Sequence, residues 1–433
     1  MTNPRLFPHI LANSAIGGFT NMLLWFAITF WAYLETHSVF VTGMLGGVYL
    51  VLNLFSGIWF GSLVDHHRKK SVMLASSLTS LFFYSISFAM LLTLPESTWT
   101  DMWNPWLWLF ILVSILGVVV SNIRMIALST IVTILIPEGE RDRANGQVGA
   151  VNGLVFTVVS VFSGILIGQL GMVWAVGIVI ILTVSVIIHL LTLTFPAESH
   201  LDDRHEDEKK IDLRGTIRII AGISGLFGMI FFAMFNNFLG GVFMALMDAY
   251  GLSLVSVELW GTVLAITSVG FIVGGILVGK YGLGRNPVKT ILLGNLTIWG
   301  ICIAFPIIPS IWIVGFGFFF FMLFSPVIES AEQTVMQKVV PLERQGRVFG
   351  FGQSLENIAS PFTAFLIGPL TQFIVMPWLA SPAGESIFGG WWGTTPDRAM
   401  ALIFVIAGII GLTVTLLAFT TKSYRGLSGR YVE

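Results

Sequence analysis

The sequence predicts an all-α membrane protein of twelve transmembrane helices, arranged as two pseudo-symmetric six-helix bundles. Three observations carry that prediction. Of 433 residues, 55% are hydrophobic and 10% charged, against about 25% charged in ordinary soluble domains, so a water-soluble fold could not hide the apolar surface. The chain also breaks into apolar runs long enough to cross a hydrocarbon layer of roughly 30 Å, which takes ~20 helical residues, and these runs lack the alternating polarity of membrane strands. Finally, a pattern near the end of the fourth run recurs near the end of the tenth at a constant offset of 204 residues.

The runs place the first six spans at Ile10 to Leu34, Val39 to Leu63, Ser71 to Leu94, Trp106 to Ile136, Val148 to Leu170 and Met172 to Phe195. The second six are Ile219 to Met247, Leu259 to Val278, Val288 to Ile308, Ile311 to Val340, Val348 to Val375 and Ala399 to Ala418. Several exceed the minimum length, which implies tilt or extension beyond the lipid. Residues 1–195 form the first bundle, 196–218 a hydrophilic cytoplasmic linker and 219–433 the second bundle with a cytoplasmic tail. Within the linker, Ile211 to Ile220 is amphipathic and suits the membrane surface. The N-terminal apolar stretch is too long for a signal-peptide core and reads as a retained first span.

Orientation follows from Lys and Arg, which favour short cytoplasmic loops. With the N-terminus inside, every Lys and Arg except Arg124 and Arg398 falls on the inner side. The long last outer loop carries Trp378, Trp391 and Trp392, residues suited to the headgroup level. This topology places both termini in the cytoplasm and the protein in a bacterial inner membrane, with the lipid bilayer as an obligate partner. Net charge is −1, and no basic stretch suggests nucleic acid. The single cysteine, Cys302, excludes an internal disulfide and any cysteine-based metal cluster.

The recurring pattern is Ala127, Thr130, Pro137, Arg143 and Gly146, matched by Ala331, Thr334, Pro341, Arg347 and Gly350. A weaker echo relates Gly57, Gly61 and Lys70 to Gly275, Gly279 and Lys289. Both echoes fall on one side of the membrane, so the halves are parallel repeats of six spans, an arrangement in which two halves rock about a central site.

After the second span comes Gly61-Ser62-Leu63-Val64-Asp65-His66-His67-Arg68-Lys69-Lys70. Glycine permits close helix contact, Asp65 can pair or sit at a helix N-terminus, and the cations can anchor to the inner leaflet. A plain positive-inside loop is the other reading. The segment resembles the loop signature of the major facilitator superfamily, with His66 at the usual arginine and Arg68 at a usual glycine. Ala127-Leu128-Ser129-Thr130 leading to Ile136-Pro137, and Gly346-Arg347-Val348-Phe349, resemble the macrolide-efflux branch of its drug:proton antiporters. The early fourth-span arginine of many antiporters is absent around Val113, and the fifth-span Gly-Pro signature is only echoed by Gly149, Gly153, Gly164 and Gly168. The resemblance implies a major facilitator fold, a gating role for Gly61, Asp65, His66, Arg68, Lys69 and Lys70, and a cavity lined by the first, fourth, seventh and tenth spans.

Ionisable residues inside spans carry the most functional information, because a charge near the bilayer centre costs on the order of 2.5–3.5 kcal/mol even on lenient scales. Arg124, Glu329, Glu332 and Glu356 qualify, and at ~1.5 Å per residue they share a layer roughly 12–18 Å from the inner span ends. Desolvation favours the neutral form of a carboxyl and a nearby cation favours the charged one, so opening a cavity to either side can load and release a proton. Glu332 or Glu329 is the expected proton carrier, with Arg124 as electrostatic partner and Glu356 as a second candidate; a structural polar network is the alternative. Asn13, Asn21 and Trp25 on the first span, with Asn236 and Asn237 on the seventh, are candidate substrate contacts. Asparagines in spans also serve simply to bond a neighbouring helix. His189 reads as a packed, satisfied histidine.

Gly274-Gly275-Ile276-Leu277-Val278-Gly279-Lys280 mimics the start of a phosphate-binding loop, but Tyr281 stands where Ser or Thr is required. Helix packing explains these glycines better. No nucleophile–base pair or metal-ligand spacing points to an enzyme, and no cofactor is expected. The expectation is a monomeric secondary exporter of amphipathic drugs or macrolide-like compounds, driven by protons. Export of a siderophore or lipid-like metabolite, and a non-transporting receptor or scaffold, remain the alternatives.

Overall fold

The computed structural model describes residues 6–136, 141–195, 213–340 and 342–431, and within them every regular element is helical. In chain order these are α1 (Leu6–Thr36), α2 (Val39–His66), α3 (Lys69–Thr93), α4 (Ser97–Thr100), α5 (Pro105–Ser121), α6 (Ile123–Leu135), α7 (Arg141–Gln169), α8 (Met172–Thr192) and α9 (Leu213–Gly222). The chain continues with α10 (Leu226–Leu254), α11 (Val257–Tyr281), α12 (Pro287–Ala304), α13 (Ile311–Val339), α14 (Leu342–Leu370), α15 (Met376–Leu379), α16 (Pro382–Phe388), α17 (Pro396–Thr420) and α18 (Lys422–Ser428). Twelve helices among the described residues are long and apolar enough to cross a membrane, α5 and α6 together forming the fourth. Large apolar side chains such as Trp59, Phe82, Trp312 and Phe316 point outward and are mostly exposed, as expected when hydrocarbon rather than water is the surrounding solvent.

Among the boundaries that differ from the sequence reading, two have a visible local cause. The seventh span starts at Leu226 instead of Ile219, because Gly225 takes a left-handed φ of 87° and separates it from α9; a residue with a Cβ adopts that conformation only at a cost. The segment read as amphipathic thus becomes the short independent helix α9. The eleventh span runs on through a π-helical turn at Thr371–Val375 into α15. Pro377 has no N–H to continue the α-helical ladder, which favours a widened turn just before it.

Two compact units emerge, one made of Met1–Ser38, Val51–Glu208 and Ser256–Ala265, the other of Val39–Leu50, Lys209–Val255 and Ile266–Glu433. In the first, α1 packs on α7 and α8, and α3 on α5 and α8; in the second, α10 packs on α14 and α17, and α12 on α13 and α17. The second set reproduces the first helix for helix, so the duplication read from five residues extends to the packing plan. It extends to helix ends as well. Ala127 and Ala331 are both fully buried, and Ile136 N–H donates to Val132 O as Val340 N–H does to Met336 O, at 3.0 Å each. Pro137 and Pro341 lie outside the described residues.

Lipid offers no hydrogen bonds, so polar side chains in the spans bond to helices. The face of α3 that carries Ser76, Ser80 and Ser87 meets Val120 O, Gly117 O and Ser114 Oγ at 2.8 Å each. In the second unit the core is aromatic: Phe404 stacks on Phe243 at 4.9 Å and meets Tyr250 edge-on at 5.5 Å. Gly274 is a packing glycine as expected, since a Cβ there would overlap Leu323 O and approach Pro326 Cγ at 2.8 Å, whereas Gly275 and Gly279 face open space.

Arg398, an exception to the charge rule, is a structural clamp. Its guanidinium donates to the carbonyls of Trp392, Pro306 and Ile307 at 2.6, 3.0 and 2.9 Å and lies 3.9 Å over the Trp392 ring. A fixed cation thereby satisfies loop carbonyls that would otherwise be buried unpaired. At the other end of this unit α18 docks on its neighbours. Ser423 fits against Gly225 and Gly228, Asn286 Nδ2 donates to Ser428 Oγ at 2.6 Å, and Lys338 Nζ donates to Arg430 O at 3.2 Å.

Candidate functional site

Arg124 is set up by a local break in the fourth span. Asn122 separates α5 from α6, and its side chain is spent sideways: Asn21 Nδ2 donates to Asn122 Oδ1 at 2.8 Å and Asn122 Nδ2 to Asn53 Oδ1 at 2.6 Å. Two residues on, the Arg124 side chain is 3% exposed. Nη1 donates to Ser77 Oγ at 2.7 Å and contacts Met73 O at 3.5 Å; Nη2 donates to the Asn13 side-chain oxygen and reaches Asn13 O at 3.4 Å. Nε is buried without a hydrogen-bond partner among the described residues.

Gly17 makes room for this arrangement, because a Cβ there would lie 2.7 Å from Arg124 Nε. Gly17→Ala is therefore expected to destabilise the protein by about 1–3 kcal/mol, the usual cost of overpacking, read as a lowered melting temperature in detergent. A Gly17→Ala protein as stable as wild type would show that the guanidinium can move aside freely.

The three glutamates belong to the second unit. Glu329 and Glu332 lie on α13 and Glu356 on α14; Glu329 is exposed, while the other two are half-buried. Glu332 feels the charges of both Glu356 and Glu329, and Glu356 that of Glu329. No hydrogen bond to these carboxylates occurs among the described residues. The cluster thus gathers three carboxyl groups whose ionisation is coupled, since charging one disfavours charging the others.

The asparagines have defined partners. Asn13 has no exposed surface and bonds Val186 O at 2.9 Å; Asn21 also donates to Val118 O at 3.1 Å. Asn236 accepts from Trp299 Nε1 at 2.8 Å and donates to Phe232 O at 2.7 Å, while Asn237, exposed, donates to Ala233 O at 3.2 Å. Trp25 is half-buried. Asn13 and Asn21 thus make the helix-to-helix bonds that are the plainer role of asparagine in a span, and Asn237 is the most open of the set.

In the basic loop, Lys69 is buried with Nζ on Val64 O at 2.7 Å and His67 O at 3.3 Å, and Lys70 Nζ reaches Leu191 O and Leu193 O at 3.1 and 2.6 Å. Both cations cap helix C-termini, where the dipole favours positive charge. Arg68 is exposed at the start of α3; Gly61, Asp65 and His66 lie on α2, and the side chains of the last two are outside what the structure describes. Sequence reasoning missed Asn122, Asn53, Ser77 and Gly17. Asn122, polar in an apolar run two residues from Arg124, carried the plainest signal, and Asn53 stands in an apolar run as well.

Twelve membrane-crossing helices built as a repeated six, with charged side chains embedded in them, are the frame of a multi-pass membrane transporter rather than an enzyme. The chain belongs to the major facilitator superfamily, whose profile it matches over residues 10–364. It is 24% identical over 380 residues to macrolide efflux protein A of Streptococcus pyogenes, covering 83% of this chain and 88% of that protein. Among solved structures, a bacterial homologue of the human lysosomal transporter Spinster, inward-facing and unoccupied, aligns with a TM-score of 0.69 at 14% identity, covering 99% of this chain and 98% of the other. A D-xylose–proton symporter aligns at 0.67 and 11% identity, covering 94% and 97%. At such identities the structural likeness speaks for the fold alone.

Proposed function

We propose that this transporter is a proton-coupled exporter of amphipathic compounds, macrolide-like drugs among them, working by alternating access of two halves, residues 1–195 and 219–433, about the linker 196–218. The observation that carries the reading is the trio Glu329, Glu332 and Glu356, charges placed in spans without a hydrogen-bond partner among the described residues. Such carboxylates switch between charged and neutral forms as their hydration changes, which is what loading and releasing a proton demands. Glu332 is the carrier in this reading, Glu329 and Glu356 tune it, and Arg124 supplies a fixed positive charge to the same cycle. The efflux activity named for the streptococcal relative supports the export direction and the substrate class.

The Lys and Arg distribution supports both termini facing the cytoplasm of a bacterial plasma membrane, with the loop Gly61 to Lys70 as an inner gate. The transporter acts as a monomer. Reconstitution into liposomes with an imposed pH gradient, tested against macrolides, lipophilic cations and siderophores, decides the matter. Gradient-dependent movement of the first two groups is expected. Movement of siderophores alone, or flux indifferent to the gradient, would overturn the proposal.

A further inference from the structure

Beside Ser77 Oγ and the Met73 and Asn13 carbonyls, Arg124 is held by the Asn13 side-chain amide. A guanidinium offers only donors, so the oxygen of the Asn13 side chain must be the atom that faces Nη2, as it does. With Oδ1 committed, Nδ2 points the opposite way, donating to Val186 O at 2.9 Å and standing 3.2 Å from His189 Nδ1. An amide NH2 can only donate. The contact therefore exists only when His189 Nδ1 carries no proton, and the neutral ring must hold its proton on Nε2.

We infer that His189 is a positioning residue for Arg124, anchoring the Asn13 amide through an unprotonated Nδ1, and that protonation of His189 undoes this anchor. The inference deepens the proposed transport cycle, in which Arg124 is the fixed cation. Its geometric part stands whether or not that cycle is correct.

The surroundings make the ring a reachable control point. His189 is half-buried near the end of α8. From α1, the exposed His9 meets it edge-on with ring centroids 6.1 Å apart. From α3, Lys70 caps Leu191 O and Leu193 O just beyond it, and Lys69 is held on Val64 O and His67 O. From α6 comes Arg124 itself, and the described side chains of α7 include no titratable group. A proton on Nδ1 would set N–H against N–H, and an amide that turned to relieve the clash would take its oxygen away from Arg124.

The test uses the full-length protein in lipid nanodiscs with 15N-labelled histidine. Of the seven histidines, the His189 signal is assigned by its loss in His189→Gln. At neutral pH it should show the Nε2–H tautomer, and Asn13→Ala should release that restriction. Substrate exchange at equal pH on both sides then reads the role. His189→Gln, whose amide oxygen accepts without titrating, should keep exchange within about twofold and flatten the part of the wild-type decline on acidification that tracks the His189 signal. His189→Leu, with no acceptor, should lower exchange about five- to tenfold, as for one lost buried hydrogen bond. An Nδ1–H tautomer, a His189→Gln pH profile identical to wild type, or full exchange by His189→Leu would each overturn the inference. A wild-type protein that moves no substrate would defeat the transport reading while leaving the tautomer result to decide the geometry.

Discussion

Glu332→Gln is expected to bring gradient-driven transport down to the level of protein-free liposomes while leaving the protein folded. Glutamine keeps the size and hydrogen-bonding reach of the side chain but has no proton to exchange at physiological pH. Of the two carboxylates on α13, Glu332 is the more shielded and Glu329 the exposed one. Removing a charge held in a span with no counter-ion among the described residues relieves desolvation, and the melting temperature should hold or rise. Glu329→Gln and Glu356→Gln leave the carrier in place and should shift the pH dependence of transport with smaller losses in rate. The measurement is substrate flux together with intravesicular acidification. A Glu332→Gln protein that still moved protons with substrate would remove Glu332 from the mechanism.

Phe404→Ala is expected to cost about 3–5 kcal/mol, the range for deleting a large aromatic side chain from a packed core. Phe404 is fully buried on α17, and Phe243, Tyr250 and Phe305 surround it at centroid distances of 4.9, 5.5 and 5.8 Å. These rings come from α10, α17 and the end of α12, so none can collapse into the space without dragging its helix. Lipid cannot refill a hole closed off from it. Thermal unfolding in detergent, followed by intrinsic fluorescence, should show a clear drop in midpoint. A change smaller than that of Phe404→Leu would mean that the cluster repacks.

Much of the fold was legible because the bilayer imposes long-range regularity: a span must be apolar for about twenty residues, and that signal survives without tertiary information. The duplication was legible because Ala127 and Ala331 meet the same packing demand at equivalent positions. What the sequence concealed was local. Gly225 ends one helix and starts another through a single dihedral, which no hydropathy window registers.

At the site, Arg124 and the glutamates stood out because charge in a span is rare. Gly17 did not, since its importance lies in the empty volume beside Arg124. His189 looked like a packed histidine because its partner Asn13 lies 176 residues away in sequence, and only folding brings the amide and ring together.

One consequence of the docked helix α18 concerns motion. By seating on the start of α10 and the residue preceding α12, by continuing directly from α17, and through Arg430 just past its end on the last turn of α13, it knots the ends of four spanning helices together. Those ends must travel as a single block. Any reshaping of this unit is then pushed up the shafts, toward places where the backbone ladder already lacks a rung, such as Pro326 in α13.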